Sequence, residues 1–221
     1  MRAQELDTQT MIQGVQGHLR ASKPKDARSV MPIFKKALEG ELNKRELQNL
    51  LIGCEMVSLL MEKTQIVHFS GLAENVIKRM YMTLTGSSAP TGRPASVVRL
   101  LENPETCIAG TVALRYYLTH NQSDNTARMS DAGELDIEVF LKSYKIARDS
   151  TPRNRFIPAN LALHIVKEYT HRNVMLERCQ RCGFVYAFHC EKINTSCPCC
   201  PPPQTSRAGR LNGKRPARLQ S

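Results

Sequence analysis

Two C-x-x-C pairs, Cys179-Gln180-Arg181-Cys182 and Cys197-Pro198-Cys199-Cys200, stand fourteen residues apart near the C-terminus. That gap is close to the spacing of about fifteen to twenty residues that reads as a zinc site, because each pair can put two thiolates on one tight knuckle. Gly183 after the first pair and Pro198 inside the second suit the sharp turns such knuckles need. Cys179, Cys182, Cys197 and Cys200 are therefore the expected ligands of one structural Zn²⁺. Cys190, next to His189, and Cys199 are rivals, since a small change of loop path could bring either into the second pair. A cluster of free or oxidised thiols is disfavoured, because zinc supplies on the order of 10 kcal/mol to small sites with too little core of their own. Four thiolates leave no open coordination position for water, which argues against catalysis at this site.

The charge of the chain is concentrated at the same end. The formal net charge is +11 with a pI near 9.5. From Arg178 onward eight basic residues face the single acid Glu191, so this fifth of the chain carries +7 of the total. An acidic partner is favoured, and double-stranded DNA is the expected one; a merely solubilising basic end is the plainer alternative. No run of eighteen apolar residues occurs, so no membrane span is expected. The first residues, Met1 to Asp7, are mixed in charge and lack the apolar stretch of a signal peptide, which points to the cytoplasm. A reducing compartment in turn favours metal ligation over disulfides for the clustered thiols. Cys54 and Cys107 stand alone in apolar helical patterns and read as small buried hydrophobes.

The remainder predicts a mainly α protein: a helical domain containing a helix-turn-helix-like segment, followed by a Cys₄ zinc-ribbon-like region. Residues 1–42 read as an accessory N-terminal extension, with short helices over Gln4–Leu19 and near Pro32–Leu38. Residues 43–177 read as the helical domain, 178–203 as the zinc-binding region, and 204–221 as a basic tail expected to be disordered. In Asn43–Met61 the residues Leu47, Leu50, Leu51, Cys54, Val57, Leu60 and Met61 recur along one helical face. A short helix around Gln65–Phe69, a turn at Ser70-Gly71, and a helix with Leu72, Val76, Ile77 and Met80 inward then match a helix-turn-helix layout. Ala73, Glu74, Asn75, Lys78, Arg79 and Met82 would face outward, and Asn75, Lys78 and Arg79 are of the kinds that read base edges or grip phosphates. A packing corner that never touches DNA is the alternative.

Gly86 predicts a helix stop, and the Pro/Gly-rich loop beyond it carries Arg93, which could reach a phosphate. A buried helix is expected over Pro104–His120, with Gly110 permitting close approach of a neighbour, and a loop over Asn121–Gly133. Asp136–Arg148 is amphipathic, and Pro158 is expected in the first turn of a last helix, Ala159–Arg172. Only Phe184–Phe188 reads as a strand. Arg181, Arg207 and Arg210 complete the candidate phosphate contacts. No glycine-rich phosphate loop, G-x-S-x-G or H-E-x-x-H is present and the six histidines are scattered, so no enzymatic activity is expected.

This order of features resembles the FlhC family, the zinc-containing subunits of the bacterial flagellar activator FlhD–FlhC. The resemblance is carried by the segment Gly71–Tyr81, by the run Thr83-Leu84-Thr85-Gly86-Ser87-Ser88-Ala89-Pro90-Thr91-Gly92-Arg93-Pro94-Ala95-Ser96, and by the paired cysteines followed by Pro201-Pro202 and Ser206-Arg207-Ala208. It covers about residues 45–210. What it implies is a nearly all-helical protein with a terminal Cys₄ zinc region at Cys179, Cys182, Cys197 and Cys200. It also implies assembly with an FlhD-like subunit and binding upstream of promoters to help RNA polymerase start transcription of flagellar genes. The extension to about residue 44 and the short inter-pair gap with its extra Cys190 and Cys199 depart from the family. These departures leave room for an activator of conjugative-transfer genes, and a zinc-ribbon adaptor for RNA or protein is the contrasting class.

Overall fold

In a computed structural model, residues 8–21, 32–90, 95–124, 135–152, 156–192 and 196–201 are described. Among them the chain is mainly helical, and two long helices organise it. The first is α3 (Lys44–Ser58), which starts where Asn43 and Glu46 form a capping box: the Asn43 side chain accepts the Glu46 amide at 2.9 Å and the Glu46 carboxylate accepts the Asn43 amide at 3.0 Å. Its apolar stripe buries Leu47, Leu50, Cys54 and Val57 against α1 (Thr8–Ala21), α4 (Lys63–Ser70) and α5 (Glu74–Thr85). Leu60, from the same predicted face, is instead 54% exposed. It holds a left-handed φ of 55° where the helix ends, with its amide on the Val57 carbonyl and the Met61 amide on Met56.

The second organiser is α7 (Pro104–Asp124), which packs on α8 (Ile137–Asp149), α9 (Ala159–Thr170) and the short α6 (Val97–Glu102). Gly110 is where α7 meets α9: a Cβ there would come within 2.4 Å of Ile165 Cδ1, which would have to shift to admit it. The two helix groups share one hydrophobic core. They are also joined across the surface by Lys145 of α8, 3.0 Å from Glu55 of α3, and by a hydrogen bond from Gln48 to Glu138.

Several boundaries differ from expectation, each for a local reason. α1 and α2 (Pro32–Leu38), from the stretch read as an extension, place Met11, Val15, Phe34 and Ala37 in the shared core. α7 runs on to Asp124, into residues expected to form a loop. Pro158 sits at the N-cap of α9 with an extended ψ of 149°, one place before the first turn. That helix ends at Thr170 because Arg172 takes a left-handed φ of 65°. α6 had no periodic signal long enough to announce it. A strand β1 (Val174–Arg178) was not expected either, yet it pairs antiparallel with β2 (Val185–His189), Leu176 opposite Ala187. No helix among the described residues is long and apolar enough to cross a membrane.

Candidate metal centre and basic surface

The β1–β2 hairpin turns at the first cysteine pair. Cys179 donates its amide to the Phe184 carbonyl at 2.8 Å and accepts the Gly183 amide at 2.8 Å, and Gly183 takes the φ of 75° that this reversal requires. The second pair forms its own turn, closed by the Cys200 amide on the Cys197 carbonyl at 3.2 Å. Arg181 ties one turn to the other, donating from Nη1 to the Pro201 carbonyl at 3.2 Å.

These turns bring Cys179, Cys182, Cys197 and Cys200 together with all four sulfurs within 4.8 Å of one another. Cys179 and Cys200 Sγ are 3.8 Å apart, and Cys182 and Cys197 Sγ 3.5 Å. A tetrahedral metal with bonds of about 2.3 Å to sulfur requires sulfur–sulfur edges of roughly 3.8 Å, so the four residues are positioned to hold one metal ion. Cys190 and Cys199 are exposed and stand outside this set. The donor chemistry is four soft thiols, the set that suits zinc or iron–sulfur chemistry rather than a hard cation.

The backbone prepares the first ligand. Amides of Cys182 and Arg181 point at Cys179 Sγ and pull that thiol down to about 6. Cys200 is pushed up to about 12, first by its hydrogen bond with Cys182 and then by burial, and burial also raises Cys197. One thiolate thus forms readily while Cys197 and Cys200 resist joining it. A divalent cation removes that resistance, so binding would release protons.

The hairpin is fastened to the helices along β2. Thr111 and Cys107 of α7 bond the backbone of Ala187. At its far end, Lys192 pairs with Glu102 of α6 at 3.0 Å. Cys107 was expected to be a small hydrophobe; it is buried, but its thiol also donates to the Ala187 carbonyl at 3.3 Å. Burial pushes it up to about 11, and Cys54 to about 12, so both stay protonated.

The other candidate surface lies on α5. Gly71, left-handed with φ 65°, ends α4 and lets the chain turn into α5 after three residues. Ile77 and Met80 are buried and Leu72 and Val76 half-buried, while Ala73, Glu74, Asn75, Lys78, Arg79 and Met82 are exposed. Gly53 of α3 permits this packing, since a Cβ there would meet Leu72 Cδ1 at 2.7 Å. Asn75, Lys78 and Arg79 therefore share one outward stretch, whereas Arg181 belongs to the cysteine turns against the other helix group. Arg93, Arg207 and Arg210 lie outside the described residues.

Glu74 is the feature of this surface that sequence patterning did not single out. Its Oε1 lies 2.6 Å from Lys63 Nζ and 3.0 Å from Lys78 Nζ. The Lys78 pair has the favourable i, i+4 spacing and could have been found by charge patterning; Lys63 is eleven residues away and comes close only through the turn.

No protein-family model and no curated protein matches this chain.

Proposed function

We propose that this chain is the DNA-binding subunit of a cytoplasmic transcriptional activator of the FlhC kind, holding one structural zinc ion and working with an FlhD-like subunit. The observation that carries the reading is the closed four-thiol cluster, held on a hairpin that is bonded to a helical body at the basic end of the chain. A closed Cys₄ site stabilises a surface rather than catalysing a reaction. The exposed Asn75, Lys78 and Arg79 on α5 add side chains suited to a major groove. Phosphate contacts supply much of the affinity and make it steeply salt-dependent. Bound upstream of a promoter, the complex helps RNA polymerase initiate at flagellar genes, or at transfer genes of a conjugative element.

The test is to map the tagged protein on its genome with the presumed partner co-expressed, reading transcript levels in the same cells. Enrichment upstream of promoters whose output then rises supports the activator and names its targets. Diffuse occupancy, with single strands preferred over duplex in vitro, transfers the reading to a zinc-ribbon adaptor. At residue level, Arg79→Ala weakens duplex binding by about 1–3 kcal/mol if Arg79 reads a base; unchanged affinity makes the α4–α5 corner a packing element.

A further inference from the structure

Glu74 is the first residue of α5 and Lys63 the first of α4, so a single carboxylate bridges the starts of both helices of the turn unit. Lys78, one turn along α5, grips the same oxygen. The hydrogen bonds from Lys63 and then Lys78 draw the Glu74 carboxyl down to about 2, so it carries full charge at any working pH. All three groups remain open to solvent, with side-chain exposures of 31% for Lys63, 53% for Glu74 and 62% for Lys78. Exposed pairs of this kind add little to folding stability. Arg79, one residue beyond Lys78, is exposed and forms no ion pair among the described residues.

We propose that Glu74 sets the sequence specificity of this surface by occupying Lys63 and Lys78 and so denying them to the phosphates of non-cognate DNA. The proposal rests on the reading that α5 faces DNA. A duplex phosphate arriving at the α4–α5 corner meets two cations already shared by a carboxylate, and it must displace that carboxylate to gain either. Non-specific affinity comes almost wholly from such phosphate contacts, so the corner contributes little to it. A site whose bases also engage Asn75 and Arg79 recovers the difference, and discrimination rises because the background is low. The device costs little stability, and for that reason it can be removed without unfolding the protein.

The decisive experiment measures binding of the full chain with its partner subunit to a short mixed-sequence duplex and to promoter DNA over a salt series, using Glu74→Gln and Arg79→Ala. Glu74→Gln keeps the shape and frees both lysines. Expected is a tighter grip on the mixed duplex, by about tenfold at low salt, with a log–log salt slope steeper by about two units, roughly 0.9 per added phosphate contact. Promoter affinity rises less, so the specificity ratio falls. Adding Lys63→Gln and Lys78→Gln to the Glu74→Gln variant restores the original slope. If Arg79→Ala weakens promoter binding while Glu74→Gln leaves slope and ratio unchanged, α5 reads DNA and the role of Glu74 is overturned. If neither variant changes binding, α5 does not face DNA and both readings fall together. Helical circular dichroism of each variant is expected to match the parent.

Discussion

Thr111 and Ala187 join helix to sheet through a hydrogen bond of 2.9 Å, the Thr111 hydroxyl accepting the Ala187 amide. The same hydroxyl donates to the Cys107 carbonyl one turn back at 2.7 Å, and the Cys107 thiol donates to the Ala187 carbonyl. Side chains of α7 therefore complete the open edge of β2, where another strand would otherwise be needed. Thr111→Val removes the hydroxyl at nearly constant volume and strands a buried amide. It is expected to cost about 1–3 kcal/mol, read by denaturant unfolding, while Thr111→Ser retains most of the stability. Equal stability of all three proteins would show that the edge is not held this way.

Metal content separates the four clustered cysteines from their neighbours. One equivalent of zinc is expected in the protein as isolated, measured by atomic spectrometry. Cys182→Ser should lose it and loosen the hairpin, whereas Cys190→Ser and Cys199→Ser should keep it. Zinc retained at full stoichiometry in Cys182→Ser would bring one of those two into the ligand set.

The same substitution should have opposite signs on two helices. At Gly17, on α1, an added Cβ meets nothing within 4 Å, so Gly17→Ala is expected to stabilise by about 0.5–1 kcal/mol through helix propensity alone. At Gly110 the Cβ would press on Ile165 Cδ1 at 2.4 Å with Ile157 Cδ1 behind it at 3.7 Å. Overpacking of about 1–3 kcal/mol then outweighs the propensity gain, and Gly110→Ala is expected to lower the melting temperature. A stabilised Gly110→Ala would mean that α7 and α9 are not in close contact there.

Acidification should weaken the fold through His18. Burial lowers this imidazole below its ordinary 6.5, the largest influence on it, with Glu55 pulling upward and Lys145 downward. The unfolded chain therefore takes up the proton first as pH falls. The contribution of neutral His18 is intact above about 6.5 and is lost as pH drops from there toward the lowered folded value. Urea midpoints of the parent should fall across that window, and those of His18→Gln should fall less. Proton competition at the metal site acts on both proteins and cancels in the comparison. Parallel curves would remove His18 from the pH response.

Where a local pattern carried the information, it was legible in the chain. Asn43 before an apolar stripe and Gly71 and Gly86 after their helices mark α3, α4 and α5 because capping and left-handed turns depend on one or two residues. The spacing of two C-x-x-C pairs put the four thiols forward, since each pair makes its own turn, but left Cys190 and Cys199 as rivals that the folded turns place outside the cluster. The strand β1 was not legible. Val174-Met175-Leu176-Glu177-Arg178 contains good helix formers and little alternation, and only pairing with β2 holds it extended.

The sequence by itself determined the helical class and the glycine turn between α4 and α5, because each is set by residues close together in the chain. Tertiary structure decided what lies far apart. It drew the first two helices into the core, gave Cys107 a bond to a strand eighty residues away, and brought Lys63 onto Glu74. Such contacts depend on how helices cross and where turns aim them, and the free energy that selects one arrangement is collective burial of apolar surface, which no short stretch of sequence records.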